Sequence, residues 1–456
     1  MMQEKLHSAV ELTEYIGKAG FISKEWCPDF CNYRRNTHSY LVEGSIMKAI
    51  EVRLVPRWIW VKMMIFSLIM IITMSSCQPK VCRIQDKTFH EMVNKNNDFS
   101  WKLYREASDT ASSVISPISV TYLLGMTLNG TEGKTSEEIK ATLGWKGMTT
   151  EAINSFCYRL MNSEEANNDS VLRIANYIAL NKDASFRHSF VKIARYIYDA
   201  QVENLDFSDQ SNTFHINDWC KKQTGGMIPS MIDEISPSAV SYLLNAISFT
   251  DKWEKPFLEM DTRVETFYCI NHCEEDINMM KNDEADCLFM KDSLISAISL
   301  PFKGGKYSMI FMLPQKNHSL QEIKKHLDNR SFLHILRQMK MEKNIDLWIP
   351  KFAIDTQIPL KEILPRMGLT TMFHPLTANF QKLSNRSMYI SDMQQKARIE
   401  ISERGAKADA VTMECATLGL LLIQDPKAFH ADHPFIYVIR DNVTGAILFL
   451  GQYTGI

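Results

Sequence analysis

A chain of 456 residues that is 45% hydrophobic and carries a net charge of −2 can bury a large core and has no charge bias toward nucleic acid. Its ten cysteines exclude a disulfide-framed scaffold: Cys157, Cys220, Cys287 and Cys415 have no spacing partner, and Cys269-Ile-Asn-His-Cys273 is too isolated for a zinc site and reads as a hairpin tip. No block of like charge, Gly/Ser linker or short repeat divides the chain, so one domain of roughly 370 residues is expected after the N-terminal stretch.

The N-terminal stretch has its own logic. Within RLVPRWIWVKMMIFSLIMIITMSSCQPK, Arg53, Arg57 and Lys62 precede an apolar run from Met63 to Met74, which meets Ser75, Ser76 and Cys77. A positive flank, a short apolar run and small residues before a cut describe an export signal, too short for a comfortable membrane span. The Met-Ser-Ser-Cys ending resembles a bacterial lipobox, with Met74 a weaker first residue than leucine. That resemblance makes Cys77 the lipidation residue and implies a bacterial cell-envelope or surface lipoprotein; a plain cleaved signal with secretion and an uncleaved anchor are the alternatives. A signal this far from residue 1 makes residues 1–46 an uncertain upstream segment, a candidate misread start with Met47 or Met63 the true beginning, and Cys27 and Cys31 there are assigned nothing. Residues 47–76 are then the signal region and 77–97 a lead-in to a domain over 98–456.

From Lys80 to about Ala200 the pattern is mainly helical: SWKLYREA, TYLLGMTLNG and SEEIKATLGW each place apolar residues three or four apart. Gly130 and Gly133 are expected to close one helix, and Thr135 with Glu138 to form a capping box opening the next. VLRIANYIALN, Val171 to Asn181, reads as a strand rich in branched residues, and SFRHSFVKIARYIYDA as another helix. VSYLLNAISFTDKW, Val240 to Trp253, is nearly continuously apolar and suits a central strand buried on both faces. ISAISLPF, SMIFMLP, IDLWIPKF, FIYVIR and GAILFLGQY are short strands bounded by Pro, Gly or Asn, the last two joined by the hairpin signal Asp-Asn-Val-Thr-Gly. Helices first and strands later predict an α+β domain with more than one sheet.

Between KARIEIS and the closing hairpin lies ERGAKADAVTMECATLGLLLIQDP, Glu403 to Pro426. Ala406, Ala408, Ala410 and Thr412 share one face of an extended strand, with Lys407 and Asp409 on the other. Yet alanine is a poor strand former and Gly405 invites a bend, and unstructured segments of this length are usually functional or disordered. No catalytic machinery is legible: there is no Gly-x-Ser-x-Gly elbow, no His-Glu-x-x-His helix and no phosphate-cradling glycine loop. His215, His374, His430 and His433 stand alone, and no carboxylates pair in a setting that would separate their pKa values, so an enzyme is the weakest reading.

Four ordered motifs resemble one family, the serpins, inhibitors that trap a protease by a change of fold. VISPISVTYLLGMTLNGTEGKTSEEIKATLGW is similar to the family's Ser-Pro-x-Ser helix and the turn before its Thr-x-x-Glu-Ile helix; INDWCKKQTGGMI to its Ile-Asn-x-Trp…Thr-x-Gly-x-Ile segment; LLNAISFTDKWEKPF to its Asn-Ala-x-x-Phe…Trp strand; and FHADHPFIYVIRDNVTGAILFLGQY to its closing hairpin. The resemblance runs from about Asp98 to the C-terminus. It implies an α+β fold of three β-sheets and about nine helices with an exposed reactive-centre loop, a monomer without cofactor or metal, and a target endopeptidase held as a covalent acyl complex. After cleavage the loop's N-terminal part joins the main sheet as a new strand.

The resemblance makes Glu403, Arg404, Gly405, Ala406, Ala408, Ala410 and Thr412 the hinge: a bend at Gly405, small residues on the face to be buried, and Arg404, Lys407 and Asp409 toward water. A charge at Ala406 would be buried early, at a cost of several kcal/mol. Counting from the hinge as the family does places the scissile bond at Gly419-Leu420, with Leu418 the alternative residue before the cut. Leu418, Leu420, Leu421 and Leu422 point to an elastase-, chymotrypsin- or papain-like target rather than a trypsin-like one. Ser116, Ser119, Asn245 and Trp253 fall where the family has residues under the sheet's opening region, or are ordinary satisfied core polar groups, and Gln395 departs from the family's frequent histidine there. A noninhibitory serpin acting as a binding or carrier module is the runner-up; members of that kind tend to break the alanine series, which is intact here.

Overall fold

The structure, a computed structural model, describes residues 84–162, 172–406 and 427–455 together with Pro79 and Val81. Contacts divide the chain into Met1–Thr73 and Met74–Ile456, and only the second unit contains described residues. Cys77, Lys407, Ala408, Asp409, Ala410, Thr412, Cys415, Leu418, Gly419, Leu420, Leu421 and Leu422 lie outside the described residues.

Among the described residues three helices come first: α1 (Asp86–Ala107), α2 (Pro117–Leu128) and α3 (Gly133–Thr142), with the short strand β1 (Ser113–Ile115) between the first two. α1 is amphipathic, burying Phe89, Met92, Val93, Phe99 and Leu103 along one stripe. α2 is buried on every residue, which its continuous run of apolar and small hydroxyl side chains permits, and Pro117 in its first turn forfeits no internal hydrogen bond. The expected capping box does not form. α3 starts two residues before Thr135, at Gly133, whose φ of +57° opens this helix rather than closing the previous one. Glu138 instead accepts the backbone N–H groups of Thr370 and Thr371 at 2.9 and 2.8 Å, and Thr135 Oγ1 accepts that of Asn379 at 3.1 Å, so both side chains fasten a distant loop.

The remaining helices are α4 (Thr150–Asn162), α5 (His188–Tyr198), α6 (Ser211–Gln223), α7 (Leu320–His326), α8 (Asn329–Gln338) and α9 (Leu360–Arg366). The strands, in chain order, are β2 (Leu172–Asn181), β3 (Ala200–Leu205), β4 (Ser241–Phe249), β5 (Asp251–Lys252), β6 (Arg263–Tyr268), β7 (Glu274–Lys291), β8 (Ile295–Pro301), β9 (Tyr307–Pro314), β10 (Lys340–Pro350), β11 (Phe352–Pro359), β12 (Asp392–Ser402), β13 (Gly405–Ala406), β14 (Ala428–His430), β15 (Phe435–Asp441) and β16 (Ile447–Tyr453).

They form two hydrogen-bonded networks. The seven-stranded sheet runs β3-β2-β4-β12-β13-β5, with β11 on β12. The nine-stranded one runs β1-β16-β15-β9-β8-β7-β10-β14, with β6 on β7. Three sheets were expected and two networks are found because β7 is unbroken for 18 residues, pairing with β6 over Glu274–Met279 and with β8 over Leu288–Lys291. β4 is buried on all nine residues, as its apolar run predicts, because β2 and β12 flank it while α2 packs beneath. Two histidines that stand alone in sequence gain carboxylates from the fold, His215 meeting Glu203 at 2.8 Å and His430 meeting Asp346 at 2.7 Å, while His433 pairs with its sequence neighbour Asp432 at 2.6 Å.

Candidate functional site: the hinge and the seam of the seven-stranded sheet

β4 and β12 run parallel and pair directly over Tyr242–Ser248 and Asp392–Arg398, so nothing lies between them along that stretch. Their register sets Gln395 opposite Asn245, and the first turn of α2 brings Ser116 and Ser119 up against the pair. All four residues are fully buried. Gln395 Oε1 accepts Ser116 N–H at 3.0 Å, while its amide donates to Ser116 O at 2.8 Å and Ser119 Oγ at 2.6 Å. Ser119 Oγ donates to Asn245 Oδ1 at 2.7 Å, and Asn245 Nδ2 to Asn176 Oδ1 at 2.9 Å. A fully satisfied amide network of this kind fixes the seam's register, and parting the strands must break the path from Gln395 through Ser116 and Ser119 to Asn245, while the Asn245–Asn176 bond ties β4 to β2 and can move with them. With glutamine where the family often has histidine, the network holds no group that titrates near neutral pH.

Trp253 does not belong to this cluster. It follows β5 at the far end of the sheet, where its indole Nε1–H donates to Ser402 O at 3.0 Å, its backbone N–H donates to Arg404 O at 2.9 Å and its ring stacks on Phe302 with centroids 4.5 Å apart. There it braces the hinge.

The hinge is a tight reversal. β12 ends at Ser402, Glu403 and Arg404 turn, and Gly405–Ala406 come back as β13 between β12 and β5, pairing Ile401 with Ala406 and Asp251 with Ala406 on the other side. Gly405 is required at its position: φ is +132°, and a Cβ would lie 2.2 Å from Asp251 O and 2.6 Å from Lys252 Cα. Ala406 is wholly buried, so only a small side chain fits the inner face. Glu403, only 6% exposed, takes a hydrogen bond from Thr262 Oγ1 at 3.0 Å and an ion pair from Lys351 Nζ at 3.0 Å. Burial pushes its carboxyl up, but its own backbone N–H, Lys351 and Thr262 outweigh that and hold it below the usual carboxylate range. The Arg404 guanidinium reaches Glu259 at 2.8 Å on the outer side.

Sequence reasoning missed the residues that hold this turn. Asp251, Thr262, Glu259 and Lys351 lie roughly fifty to 150 positions from the hinge, and no local pattern marks them as its partners. Asp251 is the most telling, since burial pushes its carboxyl up to about 6 beside β13.

The arrangement has known relatives. The family described as Serpin (serine protease inhibitor) matches residues 94–456. An uncharacterised serpin-like protein of Thermococcus kodakarensis is 30% identical over 367 residues, 79% of this chain and 85% of that one. Leukocyte elastase inhibitor A of Rattus norvegicus is 28% identical over 79% of this chain and 98% of its own. Among solved structures, the thermophilic serpin tengpin in its native state superposes with a TM-score of 0.76 at 28% identity, covering 83% of this chain and 97% of tengpin. With the fold, the motifs and the matched length in agreement, this chain belongs to the serpin family, most of whose members are protease inhibitors.

Proposed function

We propose that the chain inhibits an endopeptidase as a suicide substrate. The observation that carries this reading is β13: Gly405 and Ala406 already sit in the main sheet between β12 and β5, directly above the closed β4–β12 seam. The protease's nucleophile attacks the carbonyl before the scissile bond, Gly419-Leu420 or alternatively the bond after Leu418, and the acyl-enzyme forms as the new amino terminus leaves. The freed segment after Ala406 then extends β13 downward, parting Asp392–Arg398 from Tyr242–Ser248 and exchanging one ladder for two. About a dozen added residues at about 1 kcal/mol net per hydrogen bond make insertion worth on the order of 10 kcal/mol, enough to carry the acylated protease away before water releases it. The uncleaved state is then held kinetically rather than at equilibrium.

Leu418, Leu420, Leu421 and Leu422 favour an elastase-, chymotrypsin- or papain-like target. The test is a panel of such proteases on denaturing gels: a covalent complex, or a marked rise in thermal stability after loop cleavage, supports inhibition. A loop cut with neither result leaves a noninhibitory binding or carrier serpin instead. Sequencing the released C-terminal peptide fixes the scissile bond. We further propose export with Cys77 as lipid carrier on a bacterial envelope, supported by the apolar run and Met-Ser-Ser-Cys ending. Labelled fatty acid should enter the wild type and not Cys77→Ala; equal labelling of both removes the anchor.

A further inference from the structure

The turn joining β6 to β7 gathers a donor set that its sequence spacing does not reveal. Cys269 and Cys273 supply two sulfurs, and the fold adds a third group, Glu275, from the first turn-proximal residues of β7. The two sulfurs and a Glu275 carboxylate oxygen all lie within 4.8 Å of one another. The turn is closed by its own backbone: Cys269 N–H donates to Cys273 O at 2.8 Å, His272 N–H donates to Cys269 O at 3.0 Å, and Asn271 Oδ1 accepts Cys273 N–H at 3.2 Å. His272 carries a left-handed φ of 64°, the reversal that folds Cys273 back over Cys269.

The C-terminal residues complete the setting. Ile270 N–H donates to Thr454 O at 3.0 Å, tying the turn to the end of the chain beyond β16, and Tyr268 N–H donates to Asp432 O at 2.8 Å, tying it to the segment between β14 and β15. Gly455 lies against Cys269 so closely that a Cβ there would sit 2.5 Å from the Cys269 sulfur. The Cys269 side chain, 6% exposed, is therefore confined from below, while Cys273 and Glu275 are half-buried and leave the outer side of the cluster open.

We propose that Cys269, Cys273 and Glu275 form a zinc site with a fourth position open to water. In a tetrahedral zinc site with sulfur ligands, neighbouring ligand atoms stand about 3.8 Å apart, so the cluster needs to contract by no more than about 1 Å. Two thiolates with one carboxylate select a borderline-soft divalent ion over magnesium or calcium, which prefer all-oxygen sites. Binding forms two zinc–sulfur bonds and one zinc–oxygen bond and releases the two thiol protons to solvent. The metal fastens the β6–β7 tip in the position that the C-terminal residues already favour, and this stabilises the folded state by mass action. The site is independent of the inhibitory reading, since neither hinge nor seam residues take part.

The test uses the full chain, reduced with a phosphine and stripped of metal, titrated with Zn2+ against a chromophoric chelator and separately with Co2+. The wild type should take up one equivalent more than the Cys269→Ser/Cys273→Ser double variant and show a sulfur-to-cobalt charge-transfer band that the variant lacks. Cys273→Ser alone, at the half-buried position, should lose the band while keeping the native fold, and Glu275→Gln should weaken binding by at least about tenfold. Equal uptake by wild type and the cysteine variants, or a cobalt spectrum without thiolate ligation, overturns the proposal. So does a Cys269–Cys273 disulfide in the isolated protein whose reduction yields no metal uptake.

Discussion

Ala406 is the position at which the reasoning about insertion is most exposed to refutation. It is wholly buried and pairs directly across the strands with Asp251, whose carboxylate shares its face. Directly opposed side chains stand about 5 Å apart, and at an effective dielectric of about 20 a pair of unit charges there interacts by about 3 kcal/mol. Ala406→Glu, Ala406→Gln and Ala406→Lys share bulk and polarity but differ in the sign of that interaction. If seating β13 is the first step of insertion, the glutamate variant is slowed relative to the lysine variant by on the order of a hundredfold in rate or more. The assay is the number of moles of inhibitor consumed per mole of protease trapped. Glutamate should consume most, glutamine an intermediate amount and lysine least. Acidity supplies a second arm. The Asp251 carboxyl, raised to about 6 by burial, contributes seating stability that is fully present below its ordinary value and lost as pH rises through about 6. The gap between the glutamate and lysine variants should therefore narrow on going from about pH 7.5 to about pH 5. Equal consumption by the two charged variants at the higher pH, or lysine consuming more, would falsify the seated-hinge account.

Three further perturbations probe the same machinery. Gly405→Ala places a methyl 2.2 Å from Asp251 O and should unseat β13, speeding hydrogen exchange at residues 401–406 and 251–257 by at least about tenfold; unchanged protection contradicts the role assigned to the glycine. Gln395→Ala strips partners from buried Ser116 and Ser119 and should cost about 2 kcal/mol, read as a lower thermal midpoint of the uncleaved protein, with an unaltered midpoint counting against the seam network. Lys351→Met leaves the nearly buried Glu403 without its cation and should cost about 2 kcal/mol near neutral pH. Because the Glu403 carboxyl is held below its usual range, its contribution is present above the unfolded value and lost as pH falls through the lowered one, so wild type and variant should converge in acid. A constant difference across that range contradicts the ion pair.

Periodicity carried most of the fold. The apolar run of β4 and the amphipathic stripe of α1 are local patterns, and the structure keeps them where they are expected. β7 is different: its segment EEDINMMKNDEADCLFMK mixes acids through both halves, so neither strand period nor apolar run stands out, and only pairing with β6, β10 and β8 defines it. Thr135 and Glu138 carry the spacing of a capping box, yet tertiary partners near residues 370–379 take both side chains. In the site, Gly405 and the small Ala406 stand out in the sequence as a bend and a small residue, but the backbone of Asp251 and Lys252 that crowds Gly405 comes from across the sheet. The contacts of Trp253 with Ser402 and Arg404, and the roles of Asp251, Lys351 and Thr262, were invisible, because what matters in each case is a contact across the sheet.

In the mechanism proposed above, the two-residue strand β13 also changes what limits the speed of insertion. A chain that must find a slot in a sheet first pays the entropy of bringing its end to that slot and ordering the first pair of residues, and only afterward gains one bond per step. Here the first rung is in place before any bond is cut, with Gly405 and Ala406 hydrogen-bonded on both sides. In the proposed mechanism, insertion is then elongation from an existing nucleus, without a search, and its pace is set by how readily the Gln395–Ser119–Asn245 links give way as the strand advances.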